Sequence, residues 1–244
     1  MKWHWLSLLS LVVILSFASN LSAQATCKDD PQVQALKKEI LSQAEAWQGQ
    51  GDPDASKQVV LTEKVNRLLK LCPQSSVQER LPLIEGAWQQ VWGPYTYRDK
   101  SRGNDLRLDP QRIYQVVFKE GYYYNVSPAR DSKGVPKNRT ILLRGEYQVS
   151  KLPKENRVLG IHFTSFRKVK GDPPEGMTYE SLPALAEAQQ IHPKTILPSF
   201  FVRLFFGGGF LREVYTDEDL RITYGAKKSS FKDSYLYILK RIPL

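Results

Sequence analysis

The residues of this chain that could do chemistry are few, and their spacing excludes most reactions. Its histidines are His4, His162 and His192. None has the HxH or HExxH spacing, or the neighbouring cysteine, that a metal site needs, so no metal ligand is expected. No glycine-flanked serine forms a nucleophile elbow. No catalytic residue is therefore assigned, and the chain is expected not to be an enzyme. His162 falls in mid-strand and reads as a satisfied strand residue rather than a base. Gly207-Gly208-Gly209 lacks the spacing and the following lysine of a phosphate cradle, and reads as a chain reversal between apolar strands. Asp217-Glu218-Asp219 lacks the EF-hand spacing and reads as a turn.

What remains is Asp219 with Arg221. Two residues apart on a strand edge, they are expected to share a face. One account is an ion pair, with Arg241 included, that latches the end of the chain; charges inside a fold are tolerable when paired. The other is a site where Arg221 faces a head group or quinone oxygen while aromatics enclose an apolar tail. Ligand pockets usually combine an apolar lining with a few directed polar groups. The candidate ligand-binding residues at the end of the chain are Tyr215, Asp219, Arg221, Tyr237 and Arg241. From earlier strands come Trp88, Trp92 and Tyr114.

The elements that must position these residues read as strands. Leu220, Ile222 and Tyr224 alternate with Arg221 and Thr223; Tyr235, Tyr237 and Leu239 alternate with Leu236, Ile238 and Lys240. Period-two alternation with aromatic and β-branched residues marks half-buried strands, and the polar stretch from Gly225 joins them as a hairpin. Further strands are expected from Trp88 to Trp92, in a hairpin turning at Gly121, from Arg139 to Val149 and from Arg157 to Val169. Tyr95 to Asp109 is charged and glycine-containing, and reads as a mobile loop. Leu182 to Gln190 reads as a short helix, and Phe200 to Leu211 as the most apolar later stretch. About eight antiparallel strands in sequence can close into a barrel able to hold one small ligand.

These residues carry a resemblance. Gly86-x-Trp88 enters the first strand; Gln115, Gly121 and Asn125 follow; Tyr215, Asp219-Leu220-Arg221-Ile222, Gly225, Ile238-Leu239 and Arg241 close the chain. In this order they resemble the plastid lipid-associated proteins, also called plastid fibrillins, over roughly residues 76–242. The resemblance implies a mainly β, lipocalin-like antiparallel barrel. It also implies a photosynthetic source and binding of a lipophilic molecule: a carotenoid, a quinone or a lipid, none of them covalent. Trp88 is expected to plug one end of that barrel with a large apolar plate.

Ahead of the strands lie two other segments. A short basic start, an apolar run from Leu6 to Ala18 and Ala23-Gln24-Ala25 form a signal peptide over residues 1–25, too short for a membrane span of about 20 residues. Residues 26–75 form a helical hairpin, with helices over 31–49 and 54–72. Asp30 and Asp54 cap them, and Pro73 ends the second. The hairpin brings Cys27 and Cys72 to the same end, and an exported chain meets an oxidising compartment, so a disulfide is expected. The hairpin is expected to pack outside the barrel or across one mouth. Residues 76–244 form the β domain. Export places the protein in the thylakoid lumen or the periplasm. A net charge of +10 favours anionic surfaces, the thylakoid or another membrane, and export argues against nucleic acid. The competing reading is a peripheral membrane or photosystem-associated structural protein with no bound ligand.

Overall fold

The computed structural model describes residues 27–50, 54–99, 104–131, 135–150, 157–171 and 208–243. The signal peptide, the 182–190 helix and the apolar run from Phe200 to Gly207 lie outside the described residues.

The hairpin forms as its sequence dictates. Helix α1 spans Pro31–Trp47; Asp30 caps it by accepting from Gln32 N at 2.7 Å, with Pro31 supplying a pre-set φ. Helix α2 spans Ala55–Leu71, capped by Asp54 accepting from Lys57 N at 2.8 Å. Cys27 and Cys72 are bonded, with Cα atoms 5.3 Å apart. A third helix, α3, spans Val77–Ile84 behind a Ser76 cap.

Among the described residues ten strands follow: β1 Gly86–Trp92, β2 Thr96–Asp99, β3 Asn104–Leu108, β4 Tyr114–Phe118, β5 Tyr122–Arg130, β6 Pro136–Val149, β7 Val158–Lys170, β8 Gly208–Thr216, β9 Leu220–Ala226 and β10 Tyr235–Arg241. The protein is mainly β. Eight antiparallel strands run in the order β5-β4-β1-β10-β9-β8-β7-β6, and β6 pairs back with β5, making one ring-like sheet. A ring leaves few open edges for another chain to pair with. The first and last strands of the domain are neighbours, with Trp88 opposite Arg241.

Two expectations fail here. The expected loop over 95–109 contains two strands: β2 and β3 pair from Thr96–Arg107 to Asp99–Asn104, and β3 joins the margin of β5. An edge hairpin needs backbone pairing rather than an apolar face, so its charged sequence hides it. Nor do Gly208 and Gly209 reverse the chain. They lie in β8, where an added Cβ would meet the Ile161 carbonyl at 2.5 Å or the Ala226 carbonyl at 2.7 Å. Strands approach here more closely than a side chain allows.

Alternation divides the buried residues between two faces. Outside the ring, α1 and α2 set Val33, Leu36, Ile40, Leu61, Val65 and Leu68 against Val91, Trp92, Val214, Tyr215, Ile222 and Ile238. The hairpin therefore packs on the outer face of β1, β8, β9 and β10. Inside, Trp88, Val117, Tyr123, Leu159 and Leu239 meet Val77 and Ile84 of α3. Leu108, Ile113, Ala129 and Ile141 form a further apolar cluster with Tyr95 and Phe166. Phe163, Leu211 and Tyr237 join the inner cluster but are only partly buried.

Candidate functional site

The polar centre of the ring is built around Arg221, 1% exposed on β9. It donates from Nε and Nη2 to the two oxygens of Glu213 on β8, at 3.0 and 2.6 Å. This fork is the strong geometry for guanidinium and carboxylate. Its Nη1 donates to Gln115 Oε1 at 2.5 Å, and Gln115 Nε2 donates to Asn125 Oδ1 at 3.0 Å. Register explains the meeting: Gln115 stands opposite Asn125 across β4 and β5, and Glu213 stands opposite Thr223, two residues from Arg221.

Arg80 of α3 approaches the same carboxylate residue. It donates to the Glu213 carbonyl at 2.8 Å, to Thr216 Oγ1 at 3.2 Å and to the Ser75 carbonyl at 3.1 Å. Burial pulls its pKa down to about 10, with Arg157 and Arg221 adding to the fall and the Glu213 charge opposing it. Arg241 closes the end of the ring. Its guanidinium lies 4.0 Å over the Trp88 ring and donates to the carbonyls of Leu83, Glu85 and Glu218. Gly86 makes room for it: φ is +109°, and any side chain there would strike Arg241. Trp88 is wholly buried and donates from Nε1 to the Ile84 carbonyl at 2.8 Å.

A second buried charge lies where the hairpin docks. Lys37 of α1 stands 2.6 Å from Asp217, which also accepts from the Tyr215 hydroxyl at 2.8 Å and from the amides of Asp219 and Leu220 at 2.9 and 2.8 Å. Burial would raise the Asp217 pKa, but Lys37 and the two amides outweigh it, and the net shift is downward. Burial and the adjacent Asp217 carboxylate push the Tyr215 hydroxyl up. A carboxyl depressed in the folded state stabilises the fold above its unfolded pKa, and that stability is lost as pH falls through the folded value. Thermal melts should therefore hold from neutrality to about pH 4 and then fall. In Lys37→Met the buried Asp217 carboxylate loses its cation, so the melting temperature should be lower at neutrality and its fall below about pH 4 shallower. Superimposable acid profiles for the two proteins would remove this ion pair from the account.

The sequence-predicted residues thus do not form one site. Trp88, Arg221 and Arg241 meet inside the ring, where Tyr237 is half-buried near them. Trp92 and Tyr215 lie under the hairpin. Tyr114 packs half-buried on the opposite, outer face of β4, where burial raises its pKa. The expected pairing of Asp219 with Arg221 is replaced by Glu213 with Arg221. Asp219 belongs to the turn before β9, so strand alternation does not reach it, and its side chain is 79% exposed, 3.8 Å from Lys37. Glu213 is the residue that sequence reasoning missed. A lone carboxylate flanked by Leu211, Val214 and Tyr215 in an apolar strand was the available signal.

A small, partly open notch beside these elements has about 10 Å³ of room. It lies between the hairpin tip and β1, lined by Trp47, Gln48, Gln90, Trp92, Tyr95 and Pro110. The Trp47 and Trp92 rings are 5.8 Å apart at 54°. Among the described residues no cluster of three acidic, histidine or cysteine side chains could hold a metal, His162 is exposed, and no helix is long and apolar enough to cross a membrane. No family model, no curated protein and no solved structure matches this chain.

Proposed function

We propose that this is an exported, lipocalin-like barrel protein of the plastid lipid-associated type, binding a small lipophilic molecule at or near photosynthetic membranes. The cargo would be a carotenoid, a quinone or a lipid. One observation supports the reading most. Trp88, Gln115, Asn125, Arg221 and Arg241, which carry the resemblance from separated motifs, converge inside one ring. A chance scatter of short motifs has no reason to meet in space. In this reading the arginines are the latch of the barrel rather than the ligand site.

The net charge of +10 also favours a second reading, the peripheral membrane or photosystem-associated protein with no ligand. Its positive charge would bind anionic head groups, in a manner weakened by salt. Protein purified from its native membrane separates the two. Organic extraction should yield a lipophile in near-equal amount to protein. A clean extract, with salt-sensitive binding to phosphatidylglycerol vesicles, would replace the carrier with the second reading. A clean extract with no vesicle binding would sink both.

A further inference from the structure

One rim of the ring gathers unpaired bases and exposed apolar side chains. The strand registers carry the end of β1, the starts of β4, β6 and β10 and the ends of β5, β7 and β9 to this rim. It lies opposite the rim where Trp88, Arg241 and α3 meet. The hairpin tip reaches it too. Gln48 donates to the carbonyls of Gln90 at 3.0 Å and Pro110 at 2.8 Å, and Gln58 donates to the Ser234 carbonyl at 3.3 Å.

Lys227, Lys228 and Lys232 are exposed on the turn between β9 and β10. Lys137, Arg139 and Lys170 are exposed where β6 begins and β7 ends. None of these six has a carboxylate partner among the described residues. Arg139 and Lys170 stand directly opposite each other, an arrangement that costs stability unless an anion answers it. Asp54 and Asp233 are exposed nearby, but Asp54 is engaged in capping α2. At the far rim the signs are mixed: Glu79, Glu120, Glu218 and Asp219 are exposed beside Lys70 and Lys119. Five large apolar side chains are exposed among the described residues, and four of them sit with the bases. Val59 and Val60 lie at the start of α2, Val135 precedes β6, and Tyr235 opens β10.

We propose that this rim is the face by which the protein docks on a bilayer containing anionic lipid. The bases lie among the head groups, and Val135 and Tyr235 enter the interface. The inference rests on the membrane contact in the proposed function, and gives that contact a face and an orientation. The end closed by Trp88 and α3 points away from the lipid. Single apolar side chains scattered among lysines suit the graded polarity of a membrane interface, where tyrosine is also at home. A protein partner would call for a contiguous, closely packed patch.

The test compares two triple variants of equal net charge by co-sedimentation with vesicles of phosphatidylglycerol and phosphatidylcholine at one salt concentration. Lys227→Gln, Lys228→Gln and Lys232→Gln together remove three charges from the rim. Lys38→Gln, Lys70→Gln and Lys119→Gln together remove three exposed charges elsewhere. The rim variant should bind about a hundredfold more weakly than wild type, while the control stays close to it. Both should keep the wild-type urea midpoint. If the rim variant does not, Lys137→Gln, Arg139→Gln and Lys170→Gln together replace it, with the same loss expected. Orientation is read separately. Brominated lipid should quench the indole added in Tyr235→Trp and not the one added in Glu120→Trp at the far rim. Equal losses in the two triple variants, or equal quenching at the two positions, would overturn the docking face and leave the membrane contact standing. Absence of wild-type binding would overturn both and assign the rim to an acidic protein. The organic extract judges the carrier independently of either result.

Discussion

Glu213→Gln should destabilise the protein by about 3–5 kcal/mol, the range found when one partner of a buried ion pair is removed. Glu213 and Arg221 are 0% and 1% exposed, so solvent cannot take over the lost charge. Two cations feel the change. Arg221 loses both arms of its fork, and Arg80, also 0% exposed, loses the larger of the two carboxylate charges, Glu213 and Glu79, that oppose its desolvation. The remaining partners of Arg80 are neutral carbonyl and hydroxyl oxygens, which orient a guanidinium without balancing it. Domains have roughly 5–15 kcal/mol in hand, so the variant should be near its unfolding threshold. Urea unfolding followed by circular dichroism measures this. With a slope of about 1–3 kcal/mol per molar, the midpoint should fall by 1 M or more, roughly. The control is the apolar pair Glu213→Leu with Arg221→Met, which should recover much of the loss because burying charge is costly even when paired. A midpoint change equivalent to less than about 1 kcal/mol in Glu213→Gln would mean that water reaches this pair.

The contrast between Glu213 and Asp219 shows where a linear reading stops. Alternation made the two faces of β9 and β10 legible. Leu220 and Ile222 do go to the hairpin, and Tyr237 and Leu239 do go inward. Caps and prolines bounded the helices closely, because capping is local chemistry. The partner of Arg221 was not local. Which carboxylate meets it depends on the register of β8 against β9 and on a register shift between Glu213 and Tyr215. A shift of one residue inverts every side chain beyond it, and no composition rule predicts it. The same limit explains Trp92. A shift between Gln90 and Trp92 leaves Val91 and Trp92, neighbours in sequence, in the same outer cluster beneath the hairpin. Simple alternation assigns Trp92 to the face of Trp88, inside the ring.

Reduction of Cys27–Cys72 should lower the stability of the fold by ~4 kcal/mol, from the chain entropy of a loop with a sequence separation of 45. The same loss is expected for Cys27→Ala with Cys72→Ala, plus a small packing penalty because Cys72 is wholly buried. The native state itself should change little. The apolar faces of α1 and α2 remain to dock the hairpin, as do Lys37 to Asp217 and the exposed pairs Lys28–Glu218 and Lys240–Glu45. The exposed pairs add little. The bridge acts mainly by restricting the unfolded chain, so its removal should appear in the unfolding midpoint and not in the folded spectrum. Tryptophan emission can separate the two effects, since Trp47 of α1 lies against Trp92 of β1 and reports docking directly. With a thiol reductant, the native emission should be retained while the urea midpoint falls. An unchanged midpoint would show that the hairpin is already ordered in the unfolded chain, leaving no entropy for the bridge to remove. A folded-state emission shift on reduction would show instead that the disulfide holds the hairpin on the sheet, and that its apolar face alone is too weak to do so.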